Sequence, residues 1–131
     1  MRSRILLISG RQDDARCLSQ MLHALPLVLD HVETLLQARA MLQQEDYEVV
    51  LTEAALPDGN WLDALHLARQ SPHEPEVIVT DPLADASFWA EALNLGAYDL
   101  LAQPFYEPEV CRILHNACSK PSFQGCPAVA V

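Results

Sequence analysis

In the stretch VVLTEAALPDG, residues 49–59, an apolar run ends in a carboxylate and then a Pro-Asp-Gly turn. Val49, Val50, Leu51 and Thr52 have the composition of a strand covered on both faces, and such strands end at the crevice where open α/β sheets place their ligands. Glu53 therefore belongs at a site. Glu53 and Asp81 together bring two carboxylates without a third ligand, which falls short of a metal centre. Asp13 and Asp14 fall in the first turn of a helix, where carboxylates interact favourably with the helix dipole, so they read as capping charges. The five histidines are dispersed and lie beside no nucleophile pattern. Cys17, Cys111, Cys118 and Cys126 show no C-x-x-C spacing and read as reduced thiols of a cytoplasmic protein. The glycines stand at 10, 59, 96 and 125, so a glycine-rich phosphate loop, and with it an enzyme of the flavodoxin-like type, is excluded. No cofactor is expected.

The elements that must position Glu53 follow from periodicity. Five short apolar runs, Ile5–Ile8, Leu27–Val32, Val49–Thr52, Val77–Val79 and Leu100–Ala102, alternate with helically spaced segments, the mark of a parallel sheet with crossover helices. Ala15, Leu18, Leu22 and Leu25 predict a first helix stopped by Pro26. Leu35, Ala38 and Leu42 predict a second, Leu62 to Ala68 a third, about Ala84 to Leu95 a fourth, and Pro108 to Ser119 a fifth. Right-handed crossovers then give an α/β, flavodoxin-like (βα)5 doubly wound sheet in the order 2-1-3-4-5, spanning residues 1–119. Residues 120–131 lack a period and read as a free tail or the start of a linker, so a stand-alone adaptor and a piece of a longer protein both stay open.

Composition narrows the partners. Eighteen acidic against eight basic residues give a net charge of −10, which repels nucleic-acid backbones and anionic membrane surfaces. No apolar run reaches spanning length, and the arginine-flanked N-terminus, MRSRILLISG, reads as a first strand and not a signal peptide.

On that fold the strand ends bring together Ser9, Gly10, Glu53, Thr80 or Asp81, and Gln103. With these positions filled, ILLISG, VVLTEAALPDG, PEVIVTD and LGAYDLLAQPF resemble the receiver domain of two-component response regulators, over residues 4 to 118. The resemblance implies an acidic pair that holds Mg²⁺, a phosphoaccepting aspartate, a hydroxyl that senses the phosphate, a switch aromatic and a lysine before Pro-Phe. Here the acidic pair falls on Ser9 and Gly10, the phosphoacceptor on Glu53, the switch aromatic on Leu100 and the lysine on Gln103. Counted back from Gly96 without a gap, Asp81 takes the hydroxyl position; Thr80 takes it if one residue is deleted.

Phosphoryl transfer to a carboxylate needs Mg²⁺ and a cation to neutralise developing charge. Ser9 and Gly10 carry none, and Glu53 is longer than aspartate by about 1.5 Å. The reading is a pseudo-receiver acting through protein contacts; the alternative is a residually active domain phosphorylated by a histidine kinase. For Glu53 the expectation is an ion pair with Arg11, against mimicry of a phosphorylated aspartate. Trp61 is read either as covering the vacated crevice or as a packed aromatic at a helix start. The resemblance also points to the face of the fourth helix, fifth strand and fifth helix as a partner or homodimer surface, with Phe88, Tyr98 and Tyr106 as its contacts. On that face Phe88 and Tyr106 are expected to be exposed, and Trp89 and Phe105 to pack on the sheet.

Overall fold

The structure is a computed structural model and describes residues 3–82 and 85–118. Among the described residues seven strands and five helices follow in the order β1 (Ser3–Ile8), α1 (Gln12–Leu22), β2 (Leu27–Val32), α2 (Leu35–Gln44), β3 (Val49–Glu53), β4 (Ala55–Leu56), β5 (Gly59–Asn60), α3 (Trp61–Gln70), β6 (Glu76–Asp81), α4 (Ala86–Leu95), β7 (Asp99–Ala102) and α5 (Glu107–Cys118). The main sheet has the order β2-β1-β3-β6-β7, every pairing parallel. This is the expected doubly wound sheet. The Pro-Asp-Gly turn adds what periodicity did not signal, a two-residue antiparallel ribbon of β4 and β5.

Strand alternation splits the interior into two layers. Leu6, Ile8, Val50, Val77, Val79 and Leu100 face α2, α3 and α4, packing with Ala38, Ala64 and Ala92. Ile5, Leu7, Val49, Leu51, Ile78 and Leu101 face α1 and α5, packing with Leu18, Leu22, Ile113 and Leu114. The central strands are apolar on both faces because helices cover both.

Helix ends carry their own signals. Asn60 and Asp63 form a capping box at the start of α3. Asp58, at the tip of the ribbon, caps a different helix: its Oδ1 and Oδ2 accept the Leu35 and Leu36 N–H groups at 2.9 and 3.2 Å. Helix α4 begins after Asp85, whose Oδ1 accepts the Phe88 N–H, and ends at Gly96 in the left-handed region, φ 117°. That backbone conformation favours glycine, and a Cβ there would also require the Arg69 guanidinium to move aside. Helix α1 stops at Leu22, short of Pro26, because proline disfavours helical backbone in the residue before it; Leu25 instead closes a turn onto the Leu22 carbonyl. Among the described residues no helix is long and apolar enough to cross a membrane. Ala84, Ser119, Cys126 and the expected tail at 120–131 lie outside the described residues.

Candidate functional site

The site lies where the α1/α5 layer runs out of apolar residues. Two positions beyond Leu7, Leu51, Ile78 and Leu101 stand Ser9, Glu53, Thr80 and Gln103, each continuing its row on the same face. Glu53 and Thr80 are register partners across β3 and β6. Asp81 continues the opposite row, beyond Val79, on the face that holds Leu100. The two positions left open by the sequence are thus on different faces, and Thr80 is the one beside Glu53.

Glu53 is held by neutral donors. The fully buried Ser9 gives its hydroxyl proton to Oε2 at 2.9 Å, and the Gly10 N–H donates to Oε1 at 3.2 Å. Having one proton to give, the Ser9 hydroxyl uses its oxygen to accept the Arg11 N–H at 3.0 Å, which fixes the bend from β1 into α1. His31 on β2 donates from Nε2 to the Ser9 carbonyl at 2.8 Å, steadying the same bend from the other side. The positions that the resemblance assigns to an acidic pair therefore work here as donors to Glu53.

The expected Glu53–Arg11 ion pair is not formed. Among the described residues salt bridges join Arg4 to Asp30 and Glu45, and Arg16 to Asp13. Arg11 is the N-cap position of α1 and is exposed, so its side chain leaves the crevice while its backbone turns the corner. The residue that meets Glu53 is Asp14, in hydrogen-bonding reach of its carboxyl group. Asp14 also accepts the Gln103 side-chain amide at 2.9 Å, so Gln103 ties α1 to the end of β7. Burial, followed by the contact with Asp14, pushes the Glu53 carboxyl above its ordinary value of 4.5, against the Ser9 and Gly10 hydrogen bonds that lower it.

Capping logic places Asp14 correctly in sequence but does not give the direction of its side chain. It is in the first turn of α1, as expected, but Asp14, Leu18 and Leu22 follow at intervals of four, and the two leucines are buried. The helical stripe that seats α1 on the sheet therefore turns Asp14 inward to the crevice, while Asp13 points to solvent and pairs with Arg16.

Two aromatic expectations change. Trp61 is buried as the first residue of α3 and meets Phe88 edge-on, ring centroids 6.4 Å apart, which is the packed-aromatic reading. Phe88 is half-buried and packs against that core, while Trp89, expected inside, is 47 % exposed. One position of helical rotation separates the two, and α4 turns Phe88 toward α3. Tyr98 and Phe105 pack against the α1/α5 layer, and Tyr106 is exposed as expected.

Comparison with known proteins agrees with this geometry. A family model of the response regulator receiver domain matches residues 5–115. The chain belongs to that family. A probable transcriptional regulatory protein, y4xI of Sinorhizobium fredii, is 29% identical over 101 residues, which cover 77% of this chain and 45% of that protein. The response regulator protein PilR of Pseudomonas aeruginosa is 26% identical over 103 residues, covering 79% of this chain and 23% of its own. Among solved structures, the signal receiver domain of a putative Luxo repressor protein from Vibrio parahaemolyticus superposes with a TM-score of 0.84 at 21% identity, over 92% of each chain. This chain spans less than half the length of those two curated relatives.

The family implies Mg²⁺, and the residues at its acidic-pair positions do not fit it, while Asp14 is already taken up by Glu53 and Gln103. Mg²⁺ takes near-octahedral oxygen coordination, centred on carboxylates. Gly10 has no side chain, Ser9 spends its proton and its oxygen on Glu53 and Arg11, and both Glu53 oxygens already accept hydrogen bonds. Among the described residues no three of His, Cys, Asp and Glu gather as a metal-binding group.

Proposed function

We propose that this receiver domain is a pseudo-receiver: a non-enzymatic, cytoplasmic signalling module whose output is protein–protein contact and whose state is not set by phosphate. The observation that carries the reading is the Glu53 carboxyl, half-buried between Ser9, Gly10 and Asp14, with the neutral Gln103 amide where a cation would be needed. Attack on a phosphoryl group places further negative charge on oxygens that must be met by preorganised positive charge. Here the nearest ionisable neighbour is another carboxyl group. The same feature argues against Glu53 as a standing mimic of a phosphorylated aspartate, because the carboxyl meets another acid, and the lysine and switch-aromatic positions that would read a phosphoryl charge are Gln103 and Leu100.

The partner is read as a signalling protein, reached through α4, β7 and α5. A groove of about 500 Å³ opens there between Trp89, Asp99, Glu109, Arg112 and Ile113. Trp89 lines the groove and Tyr106 is the other exposed aromatic nearby, beside the half-buried Phe88 and Tyr98, and a homodimer through this face is the simplest assembly. The test is incubation with Mg²⁺ and a small phosphodonor, followed by intact mass. An unmodified chain, with no calorimetric signal for Mg²⁺ at millimolar levels, is expected. A phosphoryl adduct on Glu53 overturns the reading.

A further inference from the structure

Resting on the pseudo-receiver reading, we infer that the crevice is set by a proton: protonated Glu53 clasps Asp14 and holds the first turn of α1 on the sheet, and loss of that proton releases the turn. Two carboxyl groups in contact cannot both ionise cheaply without a cation between them. The donors that reach them are Ser9, Gly10 and Gln103, all neutral. One proton between Glu53 and Asp14 supplies what the missing cation does not.

The crevice also holds a second resting place for Glu53. Thr80, its register partner on the same face, is 1 % exposed, and its hydroxyl has no hydrogen-bond partner among the described residues. A buried donor left idle is unfavourable, so an acceptor brought within its reach is held there. An ionised Glu53, repelled by Asp14, can accept that hydroxyl proton, so each protonation state has its own partner. The element that responds is α1, which is anchored by Leu18 and Leu22 one and two turns beyond Asp14. Its first turn hangs on the crevice contacts, since Arg11 gives no side-chain cap.

The other charged and titratable groups around the crevice are accounted for. On the β1–α1 side Arg11 is exposed and Asp13 pairs with Arg16. On β2 His31 is engaged with the Ser9 carbonyl, and Glu33 takes the Gln12 amide at 3.4 Å. From the ribbon Asp58 caps α2; on β6 Asp81 lies on the opposite face; beyond β7 Glu107 and Glu109 stand in the first turn of α5. Of these His31 is the one that could imitate the effect, so its replacement is part of the test.

The test is carboxyl-carbon NMR of Glu53 and amide spectra of residues 12–17 across an acid-to-alkaline titration in Mg²⁺-free buffer. Glu53 is expected to titrate above 4.5, and the α1 amides to move with the same midpoint. Asp14→Asn and Gln103→Lys should each lower that midpoint, by removing the like charge or by adding a cation beside it. Thr80→Val should raise it, by removing the partner of the ionised form, and His31→Gln should leave it unchanged. A Glu53 midpoint at the ordinary value, α1 amides that ignore it, or Asp14→Asn and Thr80→Val moving it in the same direction each overturn the proton device. Those outcomes leave the pseudo-receiver reading intact, whereas a phosphoryl adduct in the mass measurement removes both.

Discussion

The two ends of the central sheet solve the same problem in opposite ways. At the end where β1 begins, Asp30 is met by the Arg4 guanidinium at 2.9 Å and the Tyr47 hydroxyl at 2.7 Å, so a cation and a buried phenol share one carboxylate oxygen. Burial, then Asp30, pushes the Tyr47 phenol well above its ordinary value, so it stays a donor at every physiological pH. At the crevice end, Glu53 has two neutral donors and a second acid. A cation at one end gives a fixed structural clamp; its absence at the other leaves an acid whose proton can come and go. Within one fold, the choice of counter-group decides whether a half-buried carboxyl is scaffold or variable.

The comparison breaks most visibly at the clamp. Tyr47 is fully buried, and Tyr47→Ala should cost about 3–5 kcal/mol, measured by urea denaturation, because it removes an aromatic from the core and one of the two donors to Asp30. At the crevice, Ser9→Ala deletes the stronger neutral donor and should cost about 1–3 kcal/mol near neutral pH, with the penalty shrinking in acid as Glu53 becomes protonated. Tyr47→Phe isolates the hydroxyl alone at about 1 kcal/mol and should show no comparable relief in acid. Glu53 has a raised value in the folded state, so its contribution is fully present below 4.5 and is lost as pH rises through that folded value. Melting temperature should accordingly fall across that window in the parent and stay level in Glu53→Gln. Smallest of all, Trp89→Ala should leave stability within about 0.5 kcal/mol, being half exposed on α4. Sedimentation or partner binding should change if α4, β7 and α5 form the output face.

The sheet was legible because its signals are redundant. Each strand is a short apolar run bounded by a helical stripe, and the five-strand order follows once the crossovers are right-handed. The row of crevice positions was legible too, since a period of two carries Leu7 to Ser9, Leu51 to Glu53 and Leu101 to Gln103. What failed was pairing. Arg11 is close to Glu53 in the ordering of the fold, but whether a long side chain turns in or out at a bend is set by backbone angles that composition does not encode. Asp14 could have been found from the stripe it shares with Leu18 and Leu22, had that period outweighed its position in the first turn. Phe88 and Trp89 are adjacent aromatics on one helix, where a rotation of one residue exchanges core and surface, and the sequence offers no arbiter.

Helix α2 takes its capping groups from two places. Thr34 supplies one acceptor locally, to the Gln37 N–H. The Leu35 and Leu36 amides depend on Asp58, 23 and 22 positions further along the chain. As the polypeptide emerges during synthesis, α2 can coil as soon as its own residues are free, yet two of its leading amides stay uncapped until β3 and the ribbon have appeared. The N-terminal β1-α1-β2-α2 half is thus an incomplete folding unit, and its commitment waits for the strand that carries Glu53.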